Sequence, residues 1–200
     1  MSKLLLNKLI DTLNALDDRD YLMAKIAMEA APTLAGMKPS SLVTFSRNAR
    51  NLYGLWERYK SDDSLGLGLS YYEVRRTEKY IVVLFYQPQL LSSVLTKADN
   101  CDFLRKLGYR DELSVKQVLQ KIREKFRHSF PHEVGLLLGI PRQDVLGFIR
   151  NGGEGHLFCG YWKVYHNPSK AYRLFRGYDR ARESVIESIC LRQVPLPVVA

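Results

Sequence analysis

The stretch that most restricts the fold is Lys79-Tyr-Ile-Val-Val-Leu-Phe-Tyr86, an almost unbroken apolar run of strand length. Just before it, Leu69 to Arg76 mixes apolar and polar residues in rough alternation, and the polar pair Thr77-Glu78 separates the two. A period of two suits a strand with one covered face, whereas a continuous apolar run needs cover on both. The pair therefore predicts a β-hairpin whose second strand is central in a sheet.

The rest of the chain supplies helices to cover such a sheet. Residues 3–29 carry apolar residues at helical spacing, with a polar break at Asp17-Asp18-Arg19-Asp20. Pro32 and Gly36-Met37-Lys38-Pro39 then predict irregular backbone, since a proline disfavours helix at the residue before it. Ser41 to Phe45 reads as a short strand, and residues 47–60 as a helix with Leu52, Leu55, Trp56 and Tyr59 on one side. Pro88 opens a helix to about Thr96, and a short one ends at Gly108. Ser114 with Gln117 has capping-box spacing, followed by a stripe of Val115, Val118, Leu119, Ile122 and Phe126. Two short helices broken at Gly139-Ile140-Pro141 occupy 131–151, and Cys159 to Tyr165 reads as a last strand. Asn167-Pro168 is an N-cap and first helical position for a final helix reaching about Leu191. The expected architecture is α+β: a small, mostly antiparallel sheet of three to five strands covered by several helices. A single domain is expected over residues 1–194, with 195–200 a loose tail.

At 200 residues the chain can bury a substantial core. Its three cysteines, Cys101, Cys159 and Cys190, are widely spaced and form no Cys-x-x-Cys pair, which argues against a zinc ribbon or a thioredoxin-type motif. Free cysteines fit a reducing compartment. The apolar run after Lys3 ends at Asn7-Lys8, too short for a secretory or spanning segment, so a cytoplasmic protein with no membrane insertion is expected. The net charge of +9 makes this a basic protein that favours anionic partners.

Five segments together resemble a known family. They are Ala31-Pro-Thr-Leu-Ala-Gly-Met-Lys-Pro39, Val83-Leu-Phe-Tyr-Gln-Pro88, Phe130-Pro-His-Glu-Val-Gly-Leu-Leu-Leu-Gly139, Asp144-Val-Leu-Gly-Phe-Ile149 and Cys159-Gly-Tyr-Trp-Lys-Val-Tyr165. In this order they resemble the bacterial DUF3793 family, a family of unknown function, so the resemblance implies no reaction and no cofactor. Its members often carry a cysteine just before the Ala-Pro-Thr-Leu-Ala-Gly block; here Glu29-Ala30-Ala31 occupies that stretch.

Several groups are candidates for chemistry, and each has a plain structural role as its competitor. His132, Glu133 and Cys159, with His156, are competent catalytic groups, and His132 with Cys159 are competent metal ligands. The zinc-protease spacing is absent, because Leu136 stands four residues after His132. Otherwise Glu133 or His132 serves a helix N-terminus and Cys159 is buried in a strand. On a single strand, Tyr161, Lys163 and Tyr165 would share one face and Trp162 and Val164 the other, an aromatic and cationic surface for an anionic planar ligand or an ordinary amphipathic strand. The Pro32–Pro39 loop offers Lys38 and free amides to an anion, or is a stiff connector. Val134 to Phe148 fits a helix-turn-helix, which would present Arg142 and Gln143 to bases and Arg150 to phosphates. Against base reading, Leu146 and Gly147 stand where polar residues are expected, so the motif can equally serve packing. Lys170, Arg173, Arg176 and Arg180 form a basic stripe on the last helix, a phosphate-binding face or simply a solvated one.

Taken together these features favour a small-ligand or cofactor-binding domain with an anion-accepting site. It would be built from Lys38, His132-Glu133, Tyr161, Trp162 and Lys163, for a possible anionic small molecule. The alternatives are a nucleic-acid-binding module over residues 134–150 and a protein–protein adaptor. Whether the chain is an enzyme stays open at this level, as does any cofactor.

Overall fold

The chain opens with two helices, α1 (Lys3–Ala15) and α2 (Asp18–Leu34), joined where the Asp17 carboxylate caps α2 by accepting from the Asp20 amide at 2.8 Å. The computed structural model describes residues 3–48, 50–61, 67–110 and 114–191. The expected tail at 195–200 lies outside them. One expectation is corrected at once: Pro32 does not end α2, which runs on to Leu34 with Pro32 buried inside it.

Strand β1 (Ser40–Ser46) follows, then α3 (Leu52–Tyr59), β2 (Ser70–Arg76) and β3 (Tyr80–Tyr86). The three strands form an antiparallel sheet in the order β1-β3-β2, so the apolar run is the central strand. Val43 and Glu73 both face Val83 across the sheet, and β2 carries an irregularity between Glu73 and Arg75. Burial explains why β3 lacks polar positions. Ile81, Val83 and Phe85 belong to a core built with α1–α3, while Leu84 lies in a second core on the opposite face. Phe45 stacks on the fully buried Trp56 with ring centres 4.9 Å apart, which anchors α3 to β1.

The second face is covered by α4 (Pro88–Leu95), α5 (Ala98–Lys106), α6 (Val115–Lys125), α7 (Val134–Leu137) and α8 (Arg142–Arg150). The Ser114–Gln117 capping box forms as the spacing predicts. A two-stranded hairpin, β4 (Phe158–Cys159) and β5 (Lys163–Val164), leads into the long helix α9 (Pro168–Cys190). Asn167 caps α9 with a bond from the Lys170 amide at 3.1 Å, and Ala181, Val185 and Ile189 return it to the first core. The fold class is α+β, as expected.

Candidate functional site

Segment 130–166 wraps around α8, and its organising group is the carboxylate of Asp144. This side chain is 1% exposed, yet it accepts from Trp162 Nε1, the Tyr165 amide and the His166 amide, each at 2.8 Å. Three N–H donors converging on one carboxylate compensate for removing its charge from water. They also fix the chain on both sides of β5 against α8. Gly147 permits the approach: a Cβ there would lie 2.5 Å from the Tyr165 side chain. At the other end of α8, Gly153 has φ +87° and returns its amide to the Phe148 carbonyl at 3.0 Å, closing the helix in a Schellman-type turn.

Between these anchors lies a pocket of about 400 Å³. Phe130, Phe148 and Trp162 provide aromatic walls, Leu138, Ile140 and Val145 aliphatic ones, and His132 and Lys163 stand among them. The His132 ring is 5.5 Å from that of Phe148. Lys163 Nζ donates to the Gly153 carbonyl at 2.8 Å, and no carboxylate among the described residues forms an ion pair with it. The only acid in the lining, Asp144, already holds its three donors. The site therefore combines an apolar, aromatic interior with one uncompensated cation.

The structure brings together His132, Trp162 and Lys163, and separates them from the other candidates. Cys159 to Tyr165 is not one strand: the chain reverses so that Cys159 pairs with Lys163, and the shared face expected for Tyr161, Lys163 and Tyr165 is lost. A strand of seven residues would have exposed the Trp162 indole N–H to its neighbours on one face; the reversal delivers it to Asp144. Tyr161 instead lines a second, open groove beside α9 together with Cys159, which is exposed rather than buried. The Tyr161 hydroxyl donates to Asp179 at 2.8 Å, and burial raises its pKa above the usual phenol value.

Glu133 turns away from its neighbour His132. It is 3% exposed, accepts the Tyr109 hydroxyl at 2.9 Å and pairs with Lys125 Nζ at 2.5 Å. That arrangement ties α6 to the entry of α7. Lys38 stands apart as well. Its ammonium lies 5.8 Å from the centre of the Tyr178 ring, and burial, with Arg182 nearby, lowers its pKa to about 8. Among the described residues, no group of three His, Cys, Asp or Glu side chains is placed to hold a metal ion.

The helix-turn-helix segment takes the form of a four-residue α7 and a nine-residue α8. Arg142 donates to Asp99 at 3.1 Å, while Gln143 and Arg150 are exposed. Among the described residues, no helix is long and apolar enough to cross a membrane.

Sequence reasoning missed the roles of Asp144, Phe130 and Phe148. An acidic residue in the first turn of a helix reads by default as a partner of the helix dipole. Its burial follows only from the reversal at 160–162, which no local pattern announces. No curated protein and no solved structure matches the chain. A family model described as "Protein of unknown function (DUF3793)" matches residues 26–195, and the chain belongs to that family.

Proposed function

We propose that this chain is a cytoplasmic small-molecule-binding protein whose ligand has an apolar, preferably aromatic, body and one anionic group. The ligand body occupies the pocket between Phe130, Phe148 and Trp162, and its anion meets Lys163, with His132 beside it. The observation that carries this reading is the convergence of His132, Trp162 and Lys163 on one mostly apolar pocket, from segments about thirty residues apart. Pockets of this size, apolar with a few placed polar groups, are the usual form of small-ligand sites. A lysine with no carboxylate partner, set against low-dielectric walls, attracts an anion more strongly than one in open water.

The test is a calorimetric titration with aromatic carboxylates and their matching neutral amides, on the wild type and on Lys163→Met. Saturable binding of a carboxylate, at least fivefold tighter than its amide, is expected, with the preference lost in Lys163→Met. Equal affinities for acid and amide, or no saturable binding across the series, would remove the proposal.

A further inference from the structure

We infer that the groove between α9 and the β4–β5 hairpin is a binding site for single-stranded nucleic acid, distinct from the pocket above. The groove is open to solvent, with a volume of about 850 Å³. One wall is the exposed face of α9, where Tyr172, Arg176 and Arg180 follow one another at four-residue intervals. Side chains at that spacing lie one above another along a helix, so the three form a stripe about 12 Å long. The other wall is the hairpin, which contributes Tyr161 and the exposed Cys159 thiol.

The charges in the groove are unevenly committed. Arg182 is paired with Glu29 at 3.1 Å, Asp179 accepts the Tyr161 hydroxyl, and Glu183 is also engaged. Arg176 and Arg180 have no ion-pair or hydrogen-bond partner among the described residues. Two free guanidinium groups one helical turn apart match successive anionic groups on a flexible backbone, since each offers a planar fork to a phosphate. Tyr172 is 57% exposed, a large aromatic face left to solvent beside them. Cations in a groove beside an exposed aromatic ring are what single strands bind, with phosphates on the cations and a base stacked on the ring. An acidic protein surface would satisfy the arginines and leave Tyr172 unused. The net charge of +9 favours approach of a polyanion.

The experiment is fluorescence anisotropy with labelled twelve-nucleotide oligo(dT) and oligo(rU), titrated from low to moderate salt. For two phosphates neutralised by Arg176 and Arg180, the log–log salt slope should fall by about 1.4 in the Arg176→Ala/Arg180→Ala variant. Its affinity at low salt should drop at least tenfold. Alanine is the strongest helix former, so exposed α9 tolerates both changes. Lys116→Ala/Arg123→Ala, which removes the same charge from exposed positions of α6, should keep the groove's slope and most of its affinity. Tyr172→Ala should keep the slope but bind about fivefold or more weakly, the loss of one stacked base. Bound strand should also slow modification of the Cys159 thiol by a disulfide reagent. The inference is overturned by absence of binding at low salt, by equal losses in the α6 control, or by a Tyr172→Ala variant that binds like wild type.

Discussion

Arg182 Nε donates to the Met28 carbonyl at 3.4 Å, and this is the carbonyl that Pro32 leaves without an amide four residues on. The same guanidinium pairs with Glu29 at 3.1 Å and lies 5.7 Å from the centre of the Tyr161 ring. One side chain of α9 thus repairs the break in α2 and links both helices to the hairpin. The relationship explains why a proline that reads as a helix terminator sits inside a helix.

Pro32 and Arg182 should therefore be energetically coupled. Pro32→Ala restores an amide worth up to about 3 kcal/mol in helix propensity. It gives up about 1–2 kcal/mol of buried ring, so the net change is a stabilisation of about 1 kcal/mol. In that background the Met28 carbonyl has its own amide, and Arg182→Met should cost less than in wild type. A double-mutant cycle from urea unfolding should give a coupling of about 0.5–1.5 kcal/mol. Additivity within about 0.3 kcal/mol would mean that the bond contributes nothing.

Asp144 should be highly sensitive to substitution. Asp144→Ala leaves the Trp162 indole and two backbone amides without their buried acceptor, a loss of about 3 kcal/mol or more at roughly 1–3 kcal/mol per orphaned donor. Asp144→Asn keeps one acceptor oxygen and should cost less. Trp162→Phe removes only one donor and should cost about 1 kcal/mol from the bond itself. Urea unfolding checks that Asp144→Ala loses more stability than Asp144→Asn; an Asp144→Ala variant as stable as wild type would show that the three bonds contribute nothing.

The sheet was readable in the sequence because its signals are local and agree. The polar tip Thr77-Glu78, the alternation in β2 and the unbroken run in β3 each restrict the backbone within a few residues, and all three point to one hairpin. The Ser114 and Asn167 caps were readable for the same reason. The site was not. Trp162 and Lys163 were identified by type, but their direction depends on the reversal at Gly160–Trp162, and a two-residue strand is too short for a period to show. Glu133 was chosen for its chemistry, whereas its neighbours Tyr109 and Lys125, which lie 24 and 8 residues earlier in the chain, determine that it is a buried tie. Pro32 misled because the compensating donor lies in a helix 150 residues later.

Alkaline pH should test the Tyr109–Glu133 contact. Burial, then the Glu133 charge and its hydrogen bond, raise the Tyr109 pKa well above the ordinary phenol value. An unfolded tyrosine ionises near about pH 10. Above that pH the unfolded state binds fewer protons than the native state, so stability falls as pH rises. The contribution is intact below about pH 10 and is lost progressively above it. Tyr178, raised to about 12 by burial, acts in the same direction. Tyr109→Phe should flatten the alkaline limb of a stability–pH curve while lowering stability at pH 7 by about 1 kcal/mol, the hydrogen bond to Glu133. An unchanged slope above pH 10 would show that Tyr109 does not carry it.

Lys38 should have the opposite effect in a lower window. Its folded pKa of about 8 lies below the unfolded value of about 10.4, because burial and the Arg182 charge disfavour its ammonium form. Between these two values the unfolded state binds more protons, so stability rises with pH there. Below pH 8 the ammonium is charged in both states and its burial cost is borne in full. Lys38→Met should therefore stabilise the protein at pH 7, by about 1–2 kcal/mol given that the side chain is only half-buried, and remove the rise between pH 8 and 10. Lysine-resolved NMR should show one amine titrating near pH 8 that is absent from Lys38→Met. If every lysine titrates near its ordinary value, the crowding of Lys38 by Tyr178 and Arg182 does not govern its charge.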